Sequence, residues 1–157
     1  MVTRYLFIFF ISMVPLIELR GAIPVSQAFM PPLPLVHSYI VCIIGNMIPV
    51  PIIYLFARKF LVWGADKKII GNMCTFFLMK GEHAGKKLTA KAAHGLFIAL
   101  MLFVGIPLPG TGAWTGTLAA SILNMRFKHT VLAVTTGVLI AGVIMAFVSF
   151  GVSSFVR

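Results

Sequence analysis

The chain has 157 residues, 60% of them hydrophobic and 10% charged, and its mean hydropathy is +1.04. Soluble domains carry about 25% charged residues, so the composition excludes an ordinary soluble domain and indicates an all-α integral membrane protein with one membrane domain over residues 1–157. The formal net charge of +10 does not indicate nucleic-acid binding, because the basic residues cluster in one loop and beside apolar segments, as in cytoplasmic loops.

The first apolar segment is too short to cross a bilayer alone. A helix over residues 5–14 rises about 15 Å, half of the hydrocarbon thickness, before Pro15 interrupts it. A second arm over residues 21–30 is equally short and ends at the prolines of residues 31–34. Two half-length arms predict a re-entrant hairpin that enters and leaves by one face. Arg4 followed by an apolar run is also typical of a signal peptide, but the internal repeat described below favours the hairpin.

The turn of this hairpin reads PLIELRGAIP over residues 15–24. Glu18 and Arg20 are the only Asp, Glu, Lys or Arg residues between residues 5 and 57, and ionisable groups within apolar sequence mark functional sites by default. A structural ion pair that stabilises the turn is the alternative. The candidate site residues here are Pro15, Glu18, Arg20, Gly21 and Pro24.

Residues 35–55 predict a spanning helix with a kink near its middle. Pro49 and Pro51 remove backbone donors there and free carbonyls that need partners in the protein interior. Asn46, which lies beside the kink, is interpreted either as the donor of an interhelical hydrogen bond or as a substrate contact.

A basic region follows over residues 58–94. Its basic residues stand against only Asp66 and Glu82, and they alternate with apolar residues, which predicts an amphipathic segment at the cytoplasmic membrane surface. The basic residues are Arg58, Lys59, Lys67, Lys68, Lys80, Lys86, Lys87 and Lys91.

The second half repeats the layout of the first. Residues 95–106 and 113–125 form two short apolar arms around a Pro/Gly break at residues 107–112, and residues 130–156 predict a second spanning helix. Broken segments in corresponding halves of a membrane protein point to a transport site. The candidate site residues of this break are Pro107, Pro109, Gly110, Thr111 and Gly112.

The two halves align without gaps at an offset of 92 residues, which predicts a duplication. We assign repeat 1 to residues 1–62, the basic cytoplasmic loop to residues 63–94 and repeat 2 to residues 95–157. One spanning helix per unit predicts an inverted repeat, with loop 58–94 cytoplasmic and both termini outside. The clearest matches place Pro15 on Pro107, Ala28 on Ala120, His37 on His129 and Gly45 on Gly137.

The two turn motifs, PLIELRGAIP and PLPGTGAWTG, and the layout of the whole chain resemble the family of small multidrug export proteins. That family is similar in layout to the DedA and VTT proteins, which include bacterial carriers of undecaprenyl phosphate and eukaryotic lipid scramblases. The resemblance implies a multi-pass cell-membrane transporter of flippase type, in which acidic and Arg residues within the membrane matter for activity. Glu18 and Arg20 are the matching residues, whereas the second turn lacks the Arg that is typical of DedA proteins.

From the residues themselves we expect transport of an anion, and together with the resemblance this implies an anionic lipid or a small organic solute as the substrate. Helix N-termini near Gly21 and Gly112 favour anions, Arg20 adds positive charge, and a desolvated Glu18 is suited to exchanging a proton. The alternatives are a proton-coupled drug exporter and a non-transporting assembly subunit. No enzyme is expected, because no nucleophile lies beside a base, and neither a cofactor nor a metal is expected. The small interior predicts a homodimer in the lipid bilayer.

Overall fold

In a computed structural model, the described residues are 2–67, 71, 72, 74–76, 78, 79, 90–108 and 110–156, with side chains left out at 90–93, 150 and 152–156. They contain no strand, which confirms the all-α prediction. The long helices are α1 (Val2–Met13), α2 (Glu18–Ala28), α3 (Leu35–Met47), α4 (Pro49–Ala65), α5 (Ala90–Gly105), α6 (Ala113–Ile122) and α7 (Phe127–Val156).

Helices α1 and α2 form the first helical hairpin, with the first turn at residues 14–17. The chain reverses early, through a left-handed backbone at Leu16 (φ 75°) and Glu18 (φ 50°). Helix α2 therefore begins at Glu18 rather than at the predicted residue 21, and Gly21 already donates a helical hydrogen bond to the carbonyl of Ile17 (2.9 Å). The expected helix N-terminus at Gly21 is thus wrong by three residues.

Helices α3 and α4 form one long, bent apolar segment. Helix α3 ends with the N–H of Ile48 bonded to Ile44 (3.3 Å), and Pro49 then opens α4, as the kink prediction requires. The segment continues to Ala65, ten residues past the predicted end, because residues 56–65 remain predominantly apolar. Leu35–Ala65 contains 31 residues, and an 18-residue window within it has a mean hydropathy of 2.2. At 1.5 Å per residue the segment is about 46 Å long, enough to cross a bilayer.

Helices α5 and α6 form the second helical hairpin, with the second turn at residues 106–112. Helix α5 begins before the predicted residue 95 and ends at Gly105, while α6 ends three residues before the predicted residue 125. Asn124 has a left-handed backbone (φ 53°) directly after the end of α6. Pro109 and most of the predicted basic surface segment lie outside the described residues.

Helix α7 is the second candidate membrane span, since an 18-residue window within Phe127–Ser149 has a mean hydropathy of 2.5. It packs against α5 and α2, while α1 packs against α3 and α4 packs against α6. Close approach of α5 to α7 depends on Gly137, where a Cβ would lie 2.7 Å from the carbonyl oxygen of Met101. This packing brings the first and second turns together, so that Glu18 contacts Ala113 and Trp114 across the interface.

Candidate functional site

The Glu18 carboxylate lies at the N-terminus of α6. Its Oε2 accepts a hydrogen bond from the backbone N–H of Ala113 (3.3 Å), and its Oε1 accepts one from the N–H of Trp114 (3.2 Å). The first N–H groups of a helix have no partner within the helix, and the helix dipole favours a negative charge there. Glu18 is only 4% exposed, so these two donors take the place of the water that an ionised carboxylate would otherwise need.

Gly112 makes room for this carboxylate. A Cβ at Gly112 would lie 2.4 Å from Oε2 and 2.6 Å from Oε1 of Glu18, well inside van der Waals contact. The backbone at Gly112 is extended (φ 164°), a conformation open to any residue. Close approach of the carboxylate, and not backbone conformation, therefore requires glycine at position 112.

The Arg20 guanidinium lies at the other end of the second turn. Its Nη1 donates to the carbonyl of Leu108 (2.6 Å) and to Oγ1 of Thr111 (3.0 Å), and its Nη2 donates to the carbonyls of Val104 (2.9 Å) and Ile106 (3.3 Å). Three of these acceptors are carbonyls at or just beyond the C-terminus of α5, where the helix dipole favours a positive charge. Of the three guanidinium nitrogens of Arg20, only Nε is buried without a hydrogen-bond partner among the described residues.

Glu18 and Arg20 therefore bind the two ends of the second turn instead of each other. Within the described residues, no direct ion pair joins them, and each charge is balanced by the backbone of the opposite hairpin. The simple ion-pair alternative does not describe this arrangement. Through these hydrogen bonds, the two charged groups link the first helical hairpin to the second.

Trp114 also links the two hairpins, but here the side chain belongs to the second hairpin and the backbone acceptor to the first. Its indole Nε1 donates to the carbonyl of Met13 (3.2 Å), the last residue of α1. Trp114 was not among the predicted site residues, although a tryptophan just after a Gly-rich break combines an apolar body with a donor that requires a partner when buried.

The backbone of the first turn is strained. Leu16 and Glu18 both adopt positive φ angles that non-glycine residues rarely adopt. Such strain costs of order 1–3 kcal/mol per residue and is concentrated at functional sites, where the surrounding contacts maintain it. At Glu18 those contacts are the two N–H donors of α6.

A cleft of about 320 Å³ lies between the two turns, within the size range of small-molecule sites. It gathers many of the predicted site residues, but Gly21, Pro24, Asn46 and Gly112 are not among the residues that line it. Gly21 packs against Ile17, Pro24 lies inside α2, and Asn46 lies next to the α3–α4 bend. Gly112 lies against the Glu18 carboxylate at the start of α6. The lining residues are Pro15, Leu16, Glu18, Arg20, Pro107, Leu108, Gly110, Thr111, Trp114, Thr115 and Met145.

The comparison with protein families gives one match. A family described as "Putative small multi-drug export protein" matches residues 18–144, which include Glu18, Arg20 and the whole second turn. No curated protein and no solved structure shows a significant match to the chain, so the likeness to DedA and VTT proteins stays a prediction. The family is one of export proteins and not of enzymes. This family, together with the two helices that are long and apolar enough to cross a bilayer, indicates a membrane protein. The chain belongs to the small multi-drug export protein family.

Proposed function

We propose that the chain is a membrane transporter that binds the anionic group of a lipid or small organic solute between its two turns, with Glu18 as the proton-coupling group. One observation carries the proposal. The helix N-terminus that the sequence predicts as an anion site, at Gly112, already holds a carboxylate, which is the chain's own Glu18. A site that accommodates one carboxylate has the donors and the space for another anionic group.

Competition for these donors couples the substrate to a proton. When Glu18 is ionised, its oxygens accept hydrogen bonds from the N–H groups of Ala113 and Trp114 and so occupy both donors. A proton transferred to a Glu18 oxygen removes its negative charge and weakens both bonds, because charge-assisted hydrogen bonds are the stronger ones. The freed donors then bind the substrate anion, beside the positive charge of Arg20. Proton and anion therefore bind together and are released together.

The helix boundaries support the duplication on which alternating access would depend. Shifted by 92 positions, Val2 and Met13 of α1 fall on His94 and Gly105, which bound the apolar part of α5, and Leu35 falls on Phe127. The packing also recurs: α1 lies on α3 as α5 lies on α7, and α2 lies on α7 as α6 lies on α4. We propose that the two units are inverted re-entrant hairpins, each with a spanning helix, that rock about the cleft.

Export of an organic cation is the second candidate function. Trp114 and Glu18 line the same cleft, and an aromatic face beside a carboxylate attracts a desolvated cation. The multi-drug description of the family is consistent with this candidate. In this scheme the proton and the cation compete for Glu18, so they move in opposite directions.

Flux through proteoliposomes tests the proposal and separates the candidates. We expect the purified chain to move an anionic lipid or solute faster when a pH gradient is applied, and Glu18→Gln to abolish the effect of the gradient while the protein remains folded. Glu82→Gln, at the only other glutamate of the chain, is the matched control and should transport normally. Gradient-driven export of organic cations alone would favour the second candidate, and no flux of either class would favour a non-transporting assembly subunit.

A further inference from the structure

Two distant parts of the chain meet near the end of α4. Arg58 donates from its Nη1 to Oδ1 of Asn124 (2.6 Å), in the joint at residues 123–126 between α6 and α7. One turn earlier in α4, the hydroxyl of Tyr54 donates to the carbonyl of Met125, and the ring centroids of Tyr54 and Phe127 lie 5.2 Å apart. These contacts hold α4 against the joint and bring Arg58 to the basic residues that flank Phe127.

The result is a basic patch that consists of Arg58, Arg126 and Lys128. All three side chains are exposed. The described part of the chain contains two acidic residues, and neither offsets this charge. Glu18 is bonded to the start of α6, and Asp66 follows α4, about 12 Å beyond Arg58. Residues 127–130, the first turn of α7, also contain no acidic residue. The patch therefore presents positive charge that the described residues do not neutralise.

The basic patch lies at the depth of lipid headgroups. A span that starts at Leu35 leaves a hydrocarbon core of ordinary thickness after about 30 Å, and Arg58 lies about 35 Å along this segment at 1.5 Å per residue. Lys128 is the second residue of the other candidate span, Phe127–Ser149. The cationic ends of both candidate spans therefore lie just outside the hydrocarbon, where the phosphates of lipids are found.

The surface beside the patch suits acyl chains on one side and the membrane interface on the other. Phe56 and Leu132 are exposed on the side towards the middle of the two spans. On the other side Trp63 is exposed, and Nζ of Lys67 lies 4.8 Å from its ring centroid. Tryptophan is enriched at the boundary between membrane and water. The cations thus stand between an apolar surface and an interfacial aromatic residue.

We propose that the basic patch binds the headgroup phosphate of anionic phospholipids, whose acyl chains lie against the apolar surface that includes Phe56 and Leu132. An anionic lipid complements both the charge and the apolar surface, whereas a soluble anion complements only the charge. A guanidinium has five N–H donors, so Arg58 can bond Asn124 and a phosphate at once. Because the cations belong to both α4 and the joint, a bound headgroup stabilises the contact between them.

Native mass spectrometry of the purified full chain tests this proposal. From an equimolar mixture of phosphatidylglycerol and phosphatidylcholine in detergent, the chain should retain phosphatidylglycerol preferentially. A basic residue near an anionic membrane surface contributes about 1 kcal/mol, so Arg58→Gln and Arg126→Gln should each lower this preference about fivefold. An excess of glycerol 3-phosphate should not displace the lipid. Displacement would identify a site for soluble phosphate and overturn the lipid assignment.

Arg4→Gln is the matched control, because it removes the same charge at the other end of the α3–α4 segment. Both Nη atoms of Arg4 donate to carbonyls just before α3, at Met30 (3.1 Å) and Pro31 (3.0 Å), so its charge is already used within the chain. This variant should keep the preference of the wild type. An equal loss in Arg4→Gln would mean that net charge alone sets the preference and would overturn the proposal.

The patch variants decide the location. An unchanged preference in Arg58→Gln and Arg126→Gln would also overturn the proposal. Arg58→Gln loses the bond to Asn124 as well, so if it does not fold, Lys128→Gln takes its place and should show the same fivefold loss. Glu18→Gln should retain phosphatidylglycerol normally, which separates failure of the transport proposal from failure of this one.

Discussion

Replacement of Gly112 by alanine should displace Glu18 from the start of α6. The added Cβ would lie 2.4 Å and 2.6 Å from the two carboxylate oxygens, so the carboxylate must move away from the N–H groups of Ala113 and Trp114. The displacement breaks two hydrogen bonds to a charged, buried group. At about 1.5–3 kcal/mol for each such bond, Gly112→Ala should lower the free energy of unfolding by roughly 3–6 kcal/mol.

Denaturant unfolding in detergent micelles measures this loss, and Gly95→Ala is the matched control. Among the described residues, a Cβ on Gly95 of α5 meets nothing within 4 Å, so alanine there should stabilise the helix by about 1 kcal/mol. The mechanism is tested by repeating Gly112→Ala in a Glu18→Ala background, where no carboxylate obstructs the new methyl group. There the substitution should cost less than about 1 kcal/mol.

If Gly112→Ala costs the same with and without Glu18, the glycine serves the backbone and not the carboxylate. If Gly112→Ala is as harmless as Gly95→Ala, the carboxylate does not occupy the start of α6 at all.

Three further predictions follow from the contacts and from the charge pattern. Trp114→Phe keeps the aromatic body but loses the donor to the Met13 carbonyl, which should lower the free energy of unfolding by about 1 kcal/mol in the same assay. An unchanged free energy of unfolding would show that this hydrogen bond does not help to link the two hairpins. Single cysteines introduced at Lys128 and Pro32 should react with impermeant thiol reagents from opposite faces, cytoplasmic and external respectively, and labelling from one face would end the inverted-repeat proposal. Cross-linking in native membranes should trap a homodimer, and detection of only monomer, where a control dimer is trapped, would count against it.

The architecture was largely predictable because helix breaks have local causes. Pro15 and Pro49 interrupt apolar runs through the donor they lack, and this effect depends only on neighbouring residues. The two helical hairpins and the bent apolar segment α3–α4 therefore follow from the sequence. The end of α4 was misplaced because apolar residues continue past Leu55, and the start of α2 because positive φ angles at Leu16 and Glu18 have no signal in the sequence.

The partners of the charged residues were not predictable in the same way. Glu18 and Arg20 are two positions apart, so sequence reasoning considers first a bond between them. Their actual partners lie more than 80 residues away and are backbone groups, which every residue possesses. Gly112 shows the same limit: the sequence marks it as a helix breaker, whereas its role in the structure is to leave space for a carboxylate from the other hairpin.

The long separation between Glu18 and its donors has a consequence for biogenesis. Ala113 follows Glu18 by 95 residues, and at roughly 5–20 residues per second the ribosome needs about 5–20 s to reach it. During that interval the first hairpin has emerged with a carboxylate and a guanidinium that have no backbone partners. We expect such a segment to be held at the membrane surface or by the insertion machinery until the second hairpin arrives, so that the two halves enter the bilayer as one unit. The chain truncated before α6 should then be a substrate for membrane quality-control proteases.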